Sequence, residues 1–259
     1  MRQSDPGVEA KWKRELTVGH RPFRIARAFM RNLPADPRCK ICHNPFGGFG
    51  GKIIGVFGFK PSRKNPNLCQ LCCEKMPQGG AEVELAILFA DVRGSTAMAE
   101  EMSSVDFADL LNRFYLTATR TLIRHDAIID KLVGDEVMAL FIPGFCGPAF
   151  RRRAAEGAID LLKAFGHSSG EGPWLPVGVG VHAGFAFVGN IGVDDLVDLT
   201  ALGDAVNTAA RLQRSAGAGE IAMSDGIYSE VQDRFPGVEQ RLMSLRGKEE
   251  QLPVRIIRP

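Results

Sequence analysis

Two aspartates, Asp91 and Asp135, stand where the sequence predicts the ends of strands. Asp91 follows an apolar run at residues 83–89 that is typical of a buried strand. Residues 93–96, Arg-Gly-Ser-Thr, predict a turn into a helix, with the glycine taking a strained conformation and a hydroxyl residue capping the helix. A carboxylate beside a helix N-terminus suits a metal-bound phosphate, because the cation takes oxygen ligands and the helix start takes the anion. Taken alone, these residues fit an ordinary turn equally well.

The second aspartate lies in a predicted hairpin. Residues 127–141 predict two strands joined by a tight Gly134-Asp135 turn. Two aspartates on neighbouring strand ends can hold two divalent ions about 3.5–4 Å apart. The second aspartate therefore favours a metal-bound phosphate at these strand ends over two ordinary turns.

A third block, residues 202–212, predicts the start of a helix in which Asn207 and Arg211 share one face, because they are four residues apart. The three blocks read Phe-Ala-Asp-Val-Arg-Gly-Ser-Thr, Lys-Leu-Val-Gly-Asp-Glu-Val-Met-Ala and Leu-Gly-Asp-Ala-Val-Asn-Thr-Ala-Ala-Arg-Leu. Together they closely resemble the class III nucleotidyl cyclases, in the order and spacing of that family. The resemblance covers about residues 83–257.

The resemblance implies a role for each matching residue. Asp91, Asp135 and the backbone carbonyl of Val92 would hold two Mg²⁺ or Mn²⁺ ions. Asn207 would position the ribose, and Arg211 would stabilise the charge of the pentavalent transition state. The residues expected to contact the triphosphate are Arg93, Gly94, Ser95, Thr96 and Lys248, with Arg246 as the alternative to Lys248.

Base choice is expected to depend on Lys131 and Thr200. Lys131 stands four residues before Asp135, where adenylate-type members of the family carry lysine and guanylate-type members usually glutamate. A lysine can donate to adenine N1, and a threonine hydroxyl can pair with the exocyclic amine. Guanine carries a hydrogen at N1, which a lysine would oppose. Thr200 stands seven residues before Asn207, where many adenylate-type members carry aspartate or threonine. Threonine in place of aspartate leaves discrimination against GTP open.

The resemblance also implies a dimer. In this family the metal aspartates and the Asn/Arg pair meet across the interface between two catalytic domains. One domain here carries both sets, so a head-to-tail homodimer with two equivalent sites is expected.

Cysteines cluster before the cyclase blocks. Five of the six cysteines lie between residues 39 and 73, and Cys39, Cys42, Cys69 and Cys72 form two Cys-x-x-Cys pairs that fit a tetrahedral four-thiolate site. We expect structural zinc there, with an iron–sulfur cluster as the alternative and unligated thiols as the plainest possibility. His43 and Cys73 are expected to be bystanders.

The order of the predicted elements indicates an α+β fold. Strand, helix, two strands, helix and strand make a ferredoxin-like βαββαβ core, with additional elements after it. The predicted elements after residue 80 are strands at 83–89, 126–142, 177–184, 185–190, 196–199, 218–223 and 251–257, and helices at 103–125, 150–165, 205–215 and 225–231. Residues 53–59 predict a strand or hairpin inside the cysteine module.

Charge divides the chain into a basic and an acidic part. Residues 1–80 carry 15 Lys and Arg against 5 Asp and Glu, a net charge of +10, and residues 81–259 carry a net charge of −8. We therefore predict a basic helical segment at 1–38, a cysteine module and linker at 39–80, and a catalytic domain at 81–259. The first segment predicts helices at 8–16 and 21–33. For the second, basic helix, packing on its own domain or on a twin chain is favoured over contact with a membrane surface or nucleic acid. The N-terminal module is expected to regulate the catalytic domain.

Composition and the apolar pattern bear on location. The chain has 45% hydrophobic and 24% charged residues, as soluble globular proteins do. No apolar run is long enough for a transmembrane segment, and the N-terminus lacks the apolar core of a signal peptide. A cytoplasmic location is expected.

The resemblance and the two base-reading residues imply an adenylate cyclase that converts ATP to 3′,5′-cyclic AMP and pyrophosphate. Three functions compete with this expectation. A guanylate cyclase is disfavoured by Lys131 and Thr200. A diguanylate cyclase is suggested only by the turn at residues 133–137, and the block containing Asn207 and Arg211 disfavours it. A catalytically silent nucleotide-binding homologue would be expected to lack metal or transition-state residues, and all of these residues are present.

Overall fold

The computed structural model describes residues 6–18, 39, 44–56, 60–62, 68–74, 79–193, 196–244 and 251–259 of the chain. Among these residues, three short helices precede the sheet: α1 (Pro6–Val18), α2 (Gly48–Val56) and α3 (Gln70–Glu74). Within the described residues, none of the helices has the length and apolar character that crossing a bilayer requires.

The larger part of the chain alternates strands and helices. In order these are β1 (Gly79–Val92), α4 (Ser95–Glu101), α5 (Ser104–Arg124), β2 (Ile128–Val133), β3 (Glu136–Phe141), α6 (Pro143–Cys146), α7 (Phe150–Ala164), β4 (Val177–Val193), β5 (Leu196–Leu202), α8 (Asp204–Ser215), β6 (Ile221–Ser224), α9 (Asp225–Tyr228), β7 (Glu239–Ser244) and β8 (Gln251–Ile257). The predicted mixed α+β class is confirmed.

One sheet gathers all of these strands. Its order is β2-β3-β1-β4-β6-β8-β7, and β5 pairs separately with β4. β1 runs antiparallel to both β3 and β4, and β2 runs antiparallel to β3. With α5 and α7 as the connecting helices, β1 to β4 form the ferredoxin-like βαββαβ core that the sequence predicts.

The two faces of the sheet are covered differently. On one face, α5 and α7 pack through fully buried side chains such as Phe114, Ala158 and Leu162. α5 begins at the predicted residue because the Ser103 hydroxyl accepts a hydrogen bond from the Asp106 amide at 3.1 Å. Together these contacts bury the middle of β1 on this face.

The other face of the sheet is covered in part by the N-terminal segment. Trp12 and Leu16 of α1 are buried in one cluster with Leu85 and Ile87 of β1, and Leu68 joins them from the cysteine region. The first predicted helix is therefore present and packs on the sheet. The predicted helix at 21–33 lies outside the described residues.

Some sequence predictions differ from the structure. Within 53–59, predicted as strand or hairpin, the described residues continue the helix α2; short apolar runs do not by themselves distinguish the two states. β4 is one strand where two were predicted, and the helix predicted at 225–231 ends at Tyr228. β7 was not predicted, because its sequence, Glu-Gln-Arg-Leu-Met-Ser, is largely polar.

Candidate active site

Asp91 lies near the end of β1, where it pairs in register with Glu136 of β3. Its Oδ2 accepts hydrogen bonds from Nε2 of Gln213 at 2.8 Å and from a guanidinium nitrogen of Arg93 at 3.2 Å. The other carboxylate oxygen, Oδ1, is buried and has no hydrogen-bond partner among the described residues. A buried acceptor left open in this way fits a group that awaits a cation.

Asp135 lies at the tip of the β2–β3 hairpin, as predicted. The turn requires Gly134, whose φ is +60°, a value that glycine adopts most readily. The backbone amide of Val92 donates to the Asp135 carbonyl at 3.1 Å, and the Ser95 hydroxyl donates to the Asp135 carboxylate. The hairpin thereby brings Asp135 to the end of β1.

The two carboxylates influence each other. Burial raises the pKa of Asp91 from 3.8 to about 6, and Asp135 adds to the rise, while Gln213 and Arg93 oppose it. A carboxylate in this position is held at an electrostatic cost that a divalent cation would relieve. Asp91, Asp135 and the neighbouring carbonyl of Val92 supply the hard oxygen donors that Mg²⁺ and Mn²⁺ prefer.

The loop after β1 differs in detail from the prediction. Gly94, with a φ of +79°, is the N-cap of α4, and no side chain caps the helix because glycine has none. The Ser95 hydroxyl, expected to be a cap, bonds to Asp135 instead. The Arg93 amide donates to the Pro176 carbonyl at 2.8 Å, and its guanidinium reaches Asp91 and the Gln213 carbonyl. Arg93 is thus occupied within the protein, whereas Ser95 and Thr96 lie in the first turn of α4, where helix amides lack intrahelical partners.

Lys131 and Thr200 meet, although 69 residues separate them. The Lys131 ammonium donates to the Thr200 hydroxyl at 2.8 Å. That hydroxyl in turn donates to Oδ2 of Asp130 at 2.9 Å. The two residues expected to read the base therefore belong to one hydrogen-bonded group, which includes an aspartate that the sequence analysis did not select.

α8 presents Asn207 and Arg211 away from the core. Asn207 is exposed and Arg211 is half-buried. In the described part of the chain, no hydrogen bond or ion pair joins either side chain to Asp91 or Asp135. α8 packs closely against β4 at Gly180. A Cβ at this position would lie only 2.1 Å from the backbone nitrogen of Gln213, so only glycine fits. The close packing predicted for the glycine-rich strand is confirmed.

Sequence reasoning missed three residues that support the site. Gln213 bonds to Asp91, the Tyr115 hydroxyl donates to the Gly134 carbonyl, and Asp130 holds Thr200. Gln213 stands only two residues after Arg211, which is a weak signal, and nothing local marks Tyr115. Asp130 stands next to Lys131 but would point to the opposite face of a regular strand.

Three of the predicted cysteine ligands come together. The sulfur atoms of Cys39, Cys69 and Cys72 lie within 4.8 Å of one another. The Cys69 amide donates to the Cys39 sulfur at 3.2 Å, and the Cys72 amide donates to the Cys69 sulfur at 3.3 Å. Amide donors to sulfur suit thiolates that carry negative charge. Cys42 and Lys248 lie outside the described residues, so their predicted roles stay predictions.

Known proteins resemble this chain in sequence and fold. The family model described as the adenylate and guanylate cyclase catalytic domain matches residues 80–257. Among solved structures, the adenylyl cyclase CyaB from P. aeruginosa superposes with a TM-score of 0.60 at 27% identity, covering 69% of this chain and 95% of that one. The guanylyl cyclase Cya2 superposes with a TM-score of 0.62 at 22% identity, covering 69% and 93%, a likeness that shows the fold alone.

Curated proteins also match the chain in sequence. An uncharacterised protein of Mycobacterium tuberculosis, Rv1319c, is 30% identical over 72% of this chain and 35% of its own length. An adenylate cyclase of Anabaena cylindrica is 31% identical over 53% of this chain and 30% of its own length. The chain thus spans about a third of the length of these relatives. It belongs to the class III adenylate and guanylate cyclase family, with the catalytic domain at residues 80–257.

Proposed function

We propose that this chain is an adenylate cyclase that converts ATP to 3′,5′-cyclic AMP and pyrophosphate. The observation that carries the choice of ATP is the contact between Lys131 and Thr200 at 2.8 Å. Lys131 has three hydrogens and only donates, so it complements the N1 acceptor of adenine and opposes the N–H of guanine. Related cyclases of both nucleotide classes share the fold, so the base contacts, and not the fold, discriminate between ATP and GTP.

Asp91, Asp135 and the Val92 carbonyl are proposed to hold two Mg²⁺ or Mn²⁺ ions. When bound, these ions supply acidity to the ribose 3′-hydroxyl and neutralise charge on the triphosphate. Ser95 orients Asp135 through its hydroxyl, and Gln213 orients Asp91. The amides of the 94–96 turn and Lys248 are proposed to bind phosphate oxygens, with a smaller role for Arg93 because of its internal contacts.

Asn207 is proposed to position the ribose, and Arg211 to stabilise the charge that develops on the α-phosphate. Preorganised charge of this kind is often the largest contribution to catalysis. Since neither side chain bonds to the metal aspartates of its own chain, we propose that both act on a nucleotide held by the Asp91 and Asp135 of a second copy.

A homodimer is also favoured by the surface around these residues. Large apolar side chains are exposed on the neighbouring strands and the hairpin tip: Phe185 is 65% exposed, Val133 61% and Leu202 51%. Exposed apolar patches mark protein interfaces, and we propose that these three side chains contribute to the contact between two copies. A head-to-tail dimer would place two equivalent sites between the copies.

The cysteine group is proposed to hold structural zinc, with Cys42 as the fourth ligand. Three clustered sulfurs with amide donors fit a tetrahedral thiolate site, and the small surrounding module would gain stability from it. An iron–sulfur cluster is the second candidate for the same sulfurs. Leu68, next to Cys69, packs in the same buried cluster as Leu85 and Ile87 of β1. Loss of the metal is therefore expected to destabilise the packing of the catalytic sheet.

The proposal is tested by turnover of the purified protein with Mn²⁺, supplied separately with ATP and with GTP. Cyclic AMP from ATP, at a higher kcat/KM than cyclic GTP from GTP, supports it. A preference for GTP would contradict the base assignment while leaving the metal site in place. If neither nucleotide is converted, nucleotide-binding measurements on the same protein identify a chain that binds nucleotide without converting it, which would contradict the proposed activity.

A further inference from the structure

Asp130 has a buried carboxylate that contacts Lys131 and Thr200, the two residues proposed to bind the base. Its side chain is fully buried, and its Oδ2 lies 3.6 Å from the Lys131 ammonium. Charged side chains are rarely buried without a specific partner. Asp130 has two such partners, Lys131 and Thr200, and both belong to the base-reading group.

An irregularity in β2 makes this contact possible. The pairing of β2 with β3 shifts register between Ile129 and Lys131, with Asp130 as the residue between them. In a regular strand, Asp130 and Lys131 would point to opposite faces of the sheet. A bulge changes the direction of the side chain that it displaces, so both side chains here reach Thr200 from the same strand.

The hydrogen-bond directions in this group are fixed by chemistry. An ionised carboxylate only accepts and an ammonium only donates, whereas a hydroxyl has one hydrogen and two lone pairs. The Thr200 hydrogen therefore points to Asp130 at 2.9 Å, and one lone pair receives Lys131 at 2.8 Å. What remains on the Thr200 hydroxyl is a single lone pair, which is an acceptor.

We propose that Asp130 is a positioning residue that determines specificity, because it holds the Thr200 hydroxyl as an acceptor and so selects a base with an exocyclic amine. Adenine offers such an amine at C6, whereas guanine offers an oxygen there, which would face a second acceptor. Asp130 touches neither nucleotide nor metal in this account and acts only through Thr200 and Lys131. The inference rests on the proposed adenylate cyclase function.

Burial of Asp130 and its contacts with Lys131 and Thr200 have opposite effects on the pKa of its carboxyl group. Burial raises the pKa of Asp130 above its ordinary value, and the ammonium of Lys131 and the hydroxyl of Thr200 limit that rise. The contacts that orient Thr200 therefore also help to keep Asp130 in the ionised form, which can only accept.

The test replaces Asp130 with asparagine, which has the same shape but carries an amide that can donate. An N–H directed at Thr200 would free the hydroxyl hydrogen to turn toward the base. We expect the ratio of kcat/KM for ATP to that for GTP to fall about tenfold in Asp130→Asn, as expected for one misdirected hydrogen bond. The loss should appear mainly in KM for ATP. Asp160→Asn removes a carboxylate that is 49% exposed and should leave the ratio unchanged.

A double-mutant cycle distinguishes this role from a structural one. Thr200→Val removes the hydroxyl, so Asp130→Asn should cause no further loss of selectivity in that background, whereas Thr200→Ser should keep the wild-type ratio. An unchanged ratio in Asp130→Asn, or equal losses in both backgrounds, would overturn the inference. If Asp130→Asn does not fold, the comparison of Thr200→Val with Thr200→Ser still tests whether the hydroxyl selects the base. A wild-type protein that does not prefer ATP would instead contradict the proposed function, before any variant is measured.

Discussion

Replacing Asp91 with asparagine is expected to stabilise the metal-free protein and to abolish turnover. Burial raises the pKa of Asp91 from 3.8 to about 6. Between these values the folded protein binds more protons than the unfolded chain, so stability falls as the pH rises through this window. Above pH 6 the buried carboxylate is ionised and destabilises the folded protein. The rise of the pKa from 3.8 to about 6 sets this cost at about 3 kcal/mol.

Asparagine resembles the neutral acid in shape and hydrogen bonding, so it should recover part of that cost. Since the Asp91 side chain is 20% exposed, water reduces the cost, and a gain of about 1–2 kcal/mol at pH 8 is expected. At pH 5 the gain should be small, because wild-type Asp91 is then protonated. Added Mn²⁺ should stabilise the wild type and not the variant.

The assay is urea unfolding of both proteins with a chelator at pH 8 and pH 5, beside turnover with ATP and Mn²⁺. Asp109→Asn, on the exposed side of α5, serves as the control for loss of a surface charge. A variant that is less stable than the wild type at pH 8 would refute the burial argument. A variant that retains turnover would refute the assignment of Asp91 as a metal ligand.

Three further predictions concern other parts of the molecule. Arg211→Ala should lower kcat for ATP by about 10²–10³-fold with an unchanged circular dichroism spectrum; a small change in kcat would exclude the transition-state role. The hydrogen bond from Arg241 lowers the pKa of Glu220 to about 2, so Glu220→Gln should destabilise the protein by about 1–2 kcal/mol at pH 7. The difference in unfolding free energy between the wild type and Glu220→Gln should shrink as the pH falls from 4.5 toward 2. A difference in urea unfolding that does not change with pH would contradict this prediction. Elemental analysis should find one zinc per wild-type chain and none in Cys69→Ser. Iron together with visible absorption would indicate an iron–sulfur cluster instead. A protein without either metal would contradict a metal site.

The ferredoxin-like core could be predicted because its elements carry strong local signals. The β2–β3 hairpin follows from its Gly134-Asp135 turn, and α5 follows from a serine cap and an amphipathic pattern. β7 could not be predicted, because a polar strand at the sheet edge is stabilised by its pairing with β8 and not by its own pattern.

The position of Asp91 and Asp135 at one end of the sheet was predicted, and the structure adds what holds them there. Ser95 was expected to cap a helix, but its hydroxyl reaches a carboxylate 40 residues away. The Gln213 side chain donates a hydrogen bond to Asp91, which is 122 residues away in the sequence. Contacts at such separations depend on how the sheet and α8 pack, which no local pattern encodes. The bulge at Asp130 is of the same kind, since it appears only when β2 is paired with β3.

The central claim is that each active site takes its metal aspartates from one copy and Asn207 and Arg211 from another. It is tested most directly by mixing two inactive variants, Asp91→Asn and Arg211→Ala, after unfolding and refolding them together. Half of the dimers would be mixed, and each mixed dimer would have one intact site, so about a quarter of wild-type turnover is expected. Mixtures that stay as inactive as each variant alone, or a wild-type monomer with full specific activity, would contradict the shared site.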